Sequence, residues 1–156
     1  MPQYTPPLRD LQFVMHELLG AVDQLKALPR HKDLDADTVN SVLEQGGKFA
    51  AEVLAPLNAV GDQQGCKLDA ATHEVRTPEG FKQAYAKFVE GGWPSMACDP
   101  AYGGQGLPVL LSQCVTEMLN SANQAWAMYP GLSHGGYAAL STHGSDEQKA
   151  LYLPKL

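Results

Sequence analysis

Residues Gly131-Leu132-Ser133-His134-Gly135 spell G-x-S-x-G, the turn that lifts a serine nucleophile out of a hydrolase sheet. That turn works only where a strand leads in and a helix leads out. Ala122 to Tyr129 precede it and have helical or loop character, so contact between helices through small residues accounts better for these glycines. Gly103-Gly104-Gln105-Gly106 suggests a phosphate loop but matches neither G-x-x-x-x-G-K-[ST] nor G-x-G-x-x-G, and it reads as a turn requiring positive φ. His16, His31, His73, His134 and His143 form no H-E-x-x-H or other ligand cluster, so no metal site is expected. His16 and Glu17 are sequence neighbours on a helix and point apart, so they do not form a dyad. A more promising stretch is Trp126, Met128, Tyr129, Pro130, Gly131, Gly135 and Gly136, where large apolar residues alternate with small ones. Such a mixture can line a concave apolar pocket. Plain helix packing is the alternative.

The elements that would carry these residues are helical, because apolar residues recur at spacings of three and four and sustained alternation is hard to find. Leu8, Leu11, Met15, Leu18, Val22 and Leu25 mark a first helix after Pro6 and Pro7, weakened at Gly20 and ended at Pro29-Arg30-His31. Asp35 or Asp37 caps a second, with Val39, Val42, Leu43, Phe49, Ala50, Val53 and Leu54 as its stripe and Pro56 just beyond. A third is predicted from a Thr77 cap, with Pro78 in its first turn, and it stops at Gly91 and Gly92. Pro108 opens a fourth, with Leu111, Cys114, Val115, Met118 and Leu119 on one side. A separate helix is expected between Pro130 and Gly144. The last begins with Ser145-Asp146-Glu147-Gln148, in which the serine hydroxyl and glutamine amide can each satisfy an orphan backbone N–H. The predicted class is all-α, a bundle of five to six helices without a sheet.

The 156 residues suffice for one domain with a real core. Charged residues make up 18%, against roughly 25% in an average chain, so part of the surface is a candidate for being covered. The net charge of −6 and the lack of a basic cluster argue against nucleic-acid binding. Cys66, Cys98 and Cys114 are odd in number and lack ligand spacing, which suits reduced thiols and a cytoplasmic location. Met1-Pro2-Gln3-Tyr4 shows no signal-peptide pattern, and no apolar run approaches a membrane span. The chain ends at Leu153-Pro154-Lys155-Leu156 without a polar tail, and Pro154 usually introduces a further segment.

Two motifs resemble a known family. Asp99-Pro100-Ala101-Tyr102-Gly103-Gly104-Gln105-Gly106-Leu107-Pro108 is similar to the signature loop of acyl-CoA dehydrogenases. Gly144-Ser145-Asp146-Glu147-Gln148-Lys149 with Tyr152-Leu153-Pro154-Lys155-Leu156 resembles the helix that closes the family's amino-terminal domain. Tyr4, Pro7-Leu8-Arg9-Asp10, Phe13, Leu54-Ala55-Pro56-Leu57-Asn58 and Gly61-Asp62 look like a longer bacterial branch, that of the 3-methylmercaptopropionyl-CoA dehydrogenases. The resemblance covers nearly the whole chain. It implies an extension helix over residues 1–34 and the family's amino-terminal helical domain over 35–156, with a middle β domain and a carboxy-terminal bundle outside this chain.

The resemblance also implies a flavin-dependent reaction on an acyl-CoA substrate. A glutamate removes the α-proton, and the β-hydride passes to FAD to leave a 2-enoyl-CoA. It implies an electron-transfer acceptor and a homo-oligomer as partners. The acyl-chain wall would comprise Ala127, Met128, Gly131 and Gly135, with Trp126 and Tyr129 close by. Gly131 stands where some medium-chain relatives carry a larger residue. The flavin-contacting strand and the glutamate base would lie beyond Leu156; Glu44, Glu52, Glu74, Glu79, Glu90 and Glu117 do not match that base. No catalytic residue is therefore expected within this chain, and neither activity nor tight FAD binding from it alone. The competing class is a stand-alone helical interaction module, which low charge and many helices would also permit.

Overall fold

A computed structural model describes residues 4–156. The signal-peptide reading of Met1-Pro2-Gln3 lies outside the described residues. The chain is all-helical, as the periodicity predicts, apart from one small antiparallel hairpin that pairs Lys67 with Arg76 and Leu68 with Val75.

The amino-terminal helix is not continuous. Helix α1 (Leu8–Gln12) passes into a π-helical turn at Phe13–Leu18, then breaks at Gly20 with φ +53 before α2 (Ala21–Lys26). The wider π turn shifts the apolar stripe. Leu11, Met15 and Val22 are buried, whereas Leu18 is rotated outward and stands 64% exposed. Helix α3 (Ala36–Phe49) starts at Asp35, whose carboxylate accepts a 2.7 Å bond from the Thr38 amide. Those Thr38 hydrogen bonds hold the Asp35 carboxyl below its ordinary range.

Pro56 does not stop the second helix. A π turn at Ala50–Leu54 continues α3 into α4 (Ala55–Gln64) with helical backbone throughout, and Pro56 is carried just past that wider turn. Val39, Leu43, Ala50 and Leu54 of this long hairpin arm are fully buried.

The expected Thr77 cap is also corrected. Helix α5 (Phe81–Glu90) begins four residues later, after Gly80 with φ +83. That left-handed turn, closed by the Phe81 amide on Pro78 O, directs Phe81 into the core at 4% exposure. Gly92 (φ +72) ends the arm as expected. The glycine-rich connection makes the predicted positive-φ turns at Gly103 (φ +91) and Gly106 (φ +68). Gly104 is required for a different reason: a Cβ there would collide with the Cys98 backbone.

The two helices expected on either side of Pro130 are one element, α6 (Val109–His143). Its interruption falls at Asn123, not at the proline. Helix α7 (Asp146–Tyr152) carries the full predicted capping box, with Ser145 Oγ accepting from the Gln148 amide and Gln148 Oε1 from the Ser145 amide. The core lies where α3 and α4 pack on α6 and α5 packs on Trp126, and it is dominated by Leu43, Leu54, Leu111, Met118 and Trp126.

Candidate functional site

Trp126 is the hinge between core and site. It is completely buried, and its indole N–H donates 3.1 Å to Phe81 O. Phe88 meets it edge-on with ring centroids 5.3 Å apart, and Tyr85 lies at 6.3 Å. This aromatic set holds the start of the second half of α6 against α5, an arrangement that adds to the hydrophobic burial.

A cavity of about 420 Å³ opens beside it. One side is α5, through Tyr85, Phe88 and Val89, with the adjacent turn at Trp93 and Pro94. The first half of α6 supplies Thr116, Leu119 and Asn120. The second half supplies Ala127, Gly131, His134 and Tyr137, which recur every three or four residues and so share one face. Pro154 and Leu156 close one edge. The volume is within the range of small-ligand pockets, and the lining mixes apolar side chains with polar ones such as Gln113, Asn120, Ser133 and His134.

The structure brings two of the six expected wall residues, Ala127 and Gly131, into this cavity. Trp126 stands behind them as buried support. The other three face elsewhere. Met128 is 64% exposed, and Tyr129 packs edge-on against Phe81 with its hydroxyl 3.4 Å from Cys66 Sγ. That thiol contact, with burial second, pushes the Tyr129 phenol upward. Gly135 borders open space.

The glycines do not serve helix contact within this chain. A Cβ added at Gly131 or Gly135 meets nothing within 4 Å. Ser133 lies inside α6 with no strand before it, so the G-x-S-x-G segment lacks the elbow geometry.

Phe88, Val89, Leu119, His134 and Tyr137 are wall residues that sequence reasoning did not select. A helical stripe carried through Pro130 would have found His134 and Tyr137. Tyr137 also ties the site to the glycine-rich loop, its hydroxyl accepting 2.6 Å from the Asp99 amide. Burial raises the neighbouring Cys98 thiol, against a smaller lowering by its hydrogen bond with Tyr137. A second, more open cleft of about 520 Å³ lies between α3 and that loop, over Phe49, Trp93 and Leu107. No group of three potential metal ligands occurs among the described residues, and no helix among them is long and apolar enough to cross a membrane.

The fold is an all-helical domain with a cavity between α5 and the two halves of a broken helix. Residues 37–156 match the family model described as acyl-CoA dehydrogenase, N-terminal domain, and the chain belongs to that family. It is 40% identical to a 3-methylmercaptopropionyl-CoA dehydrogenase of Ruegeria pomeroyi over 153 residues, 98% of this chain and 26% of the relative. It is 33% identical to the broad-specificity linear acyl-CoA dehydrogenase FadE5 of Mycobacterium tuberculosis, over 96% of this chain and 24% of that protein. A butyryl-CoA dehydrogenase of Syntrophomonas wolfei is 30% identical over 98% of this chain and 25% of its own length. The chain thus spans about a quarter of the length of these curated relatives.

Proposed function

We propose that this chain is the amino-terminal helical domain of a longer polypeptide that oxidises an acyl-CoA thioester to a 2-enoyl-CoA, and that the second half of α6 is the wall against which the acyl chain lies. The observation that carries the reading is Gly131: it lines the cavity, yet a Cβ there would meet no other atom within 4 Å. Space left at a cavity-facing glycine is space for a ligand. The names of the three relatives share an acyl-CoA thioester and support the substrate class.

Residues 1–34 are read as an extension of the domain of residues 35–156, and its described part packs on that domain. Leu11, Met15, Ala21 and Val22 bury into the same core cluster as Leu43 and Met118. Ala127 and Gly131 form the wall that this chain supplies, and Trp126 supports it from behind. Exposed Met128, Tyr129 and Gly135 are assigned to contact with ligand or polypeptide that approaches from the opposite face.

FAD is the cofactor that the family implies, and it would supply hydride acceptance. The residues of this cavity do not make up its site, because Lys155 is the only permanently cationic side chain among them and a flavin dinucleotide carries two phosphates. The flavin site and the base are assigned to polypeptide outside this chain. The role left to this chain is to bind and orient the acyl group and to exclude water. An electron-transfer acceptor and a homo-oligomer belong to the same reading. Exposed Met128 and Leu132 support coverage of this face by further protein.

The test is to extend the coding sequence past Leu156 and assay the complete product. An open frame of several hundred codons, with acyl-CoA-dependent reduction of an artificial acceptor and release of 2-enoyl-CoA, is the expected result. An immediate stop codon, with a folded inactive product, would instead establish the interaction module.

A further inference from the structure

Asn123 is the only residue within α6 whose backbone leaves the helical region, at φ −159 and ψ 85. It is also the one buried polar or charged residue among those described, at 1% exposure. Both ends of its amide are used. Oδ1 accepts 3.0 Å from the Trp126 amide, and Nδ2 donates 3.2 Å to Leu54 O. The first bond is an N-cap bond, made to an amide three residues on, so it restarts the helix after the break. The second fastens that restart to the junction between the π turn Ala50–Leu54 and α4.

An apolar residue at this position could continue the helix and fill the core without desolvating an amide. The asparagine therefore specifies a direction as well as a packing. What it directs is the wall. Ala127 and Gly131 follow it by four and eight residues, and helical rise places Gly131 about 12 Å beyond the break. By that geometry, a swing of roughly 10° at Asn123 displaces Gly131 by about 2 Å. Further along the same segment, Tyr137 lines the cavity and holds the Asp99 turn of the glycine-rich loop, so a swing would pull on that loop as well.

We propose that Asn123 is a positioning residue that sets acyl-length specificity by fixing the direction of the second half of α6, an inference that rests on reading the cavity as the acyl site. It touches neither substrate nor cofactor and acts through Ala127 and Gly131.

The experiment uses the full-length protein with Asn123→Ala, which removes both bonds, and Asn123→Ser, which retains a capping oxygen and loses the reach to Leu54. Val115→Ala is the control, a 2% exposed core residue in the first half of the same helix. Two readouts are taken below every melting temperature. In kcat/KM across a ladder of acyl-CoA lengths, Asn123→Ala should change the long-to-short ratio by about five- to tenfold, with Val115→Ala within about twofold of wild type. In amide hydrogen exchange, protection over residues 124–143 should fall by about tenfold in Asn123→Ala with residues 109–122 little changed, and Asn123→Ser should recover part of it. Should Asn123→Ala fail to fold, Asn123→Ser carries both readouts with the same direction expected.

An unchanged length ratio, or protection lost equally on both sides of the break, overturns the proposal and leaves Asn123 as a core residue. A wild-type protein that turns over no acyl-CoA would instead refute the acyl-site reading and the specificity assignment with it, while the exchange pattern still decides whether Asn123 directs the segment.

Discussion

The two halves of α6 are built from similar residues and do different things. Before the break, Leu111, Val115, Met118, Leu119 and Ala122 are all less than 9% exposed and belong to the core. After Trp126 no residue of the helix is buried, and Leu132 is 82% exposed. An apolar stripe that finds partners in its own chain is a folding element. One that finds few, beside a cavity and next to a glycine with free space, is available to a ligand or to further polypeptide. The difference is imposed at Asn123 and Trp126, where one side chain redirects the backbone and the next anchors it.

The largest expected effect tests that anchor against the free surface beyond it. Trp126→Ala removes a fully buried indole and its bond to Phe81 O, and it should cost about 3–5 kcal/mol. Leu132→Ala, by contrast, should stay within about 0.5 kcal/mol in urea denaturation. Comparable losses would mean that the second half is packed in solution, and the comparison would fail.

The glycine-rich loop that Tyr137 holds should give the next effect. Gly104→Ala sets a methyl group against the Cys98 backbone, which must move, and about 3 kcal/mol is expected. Gly103→Ala meets no atom but must adopt φ +91, for about 1–2 kcal/mol. Thermal melts that rank Gly103 above Gly104 would contradict the packing of this loop.

A smaller effect lies at the start of α3, which packs on the first half of α6. The Asp35 carboxyl sits below its ordinary 3.8 because the charged form accepts from Thr38. Its contribution to stability is therefore complete above about pH 4 and is lost as pH falls through the lower, folded-state value. Melting temperature followed downward from pH 6 should decline over that window in wild type and less steeply in Asp35→Asn, which keeps a neutral cap. Parallel curves would remove Asp35 from the acid response.

Much of this could be read from the residues alone. Capping chemistry is local, so the Ser145 box and the Asp35 cap were legible, as were positive-φ glycines at 92, 103 and 106. The misreadings came from prolines and from tertiary demands. Pro56 and Pro130 look like stops, but one is carried just past a π turn and the other inside a long helix whose true break is a buried asparagine. Asn123 caps locally through the Trp126 amide, but its second partner, Leu54, is 69 residues away and leaves no local mark. The Thr77 cap lost to Gly80 because burying Phe81 requires a left-handed turn just before it. Of the residues that line the cavity, Ala127 and Gly131 are those that the family resemblance names. Phe88, Val89 and Tyr137 become neighbours of that stripe only when α5 and the loop fold against α6.

Gly131→Leu in the full-length protein tests the central claim most directly. The substitution adds four carbons where the chain itself has open space, so melting temperature should hardly change. A long acyl chain would have to meet the added bulk, at about 1–3 kcal/mol. By the factor of ten per roughly 1.4 kcal/mol, kcat/KM for long acyl-CoA should fall by about one to two orders of magnitude. Short acyl-CoA should be affected much less. An equal loss at every chain length, accompanied by a lower melting temperature, would contradict the account and return Gly131 to helix packing.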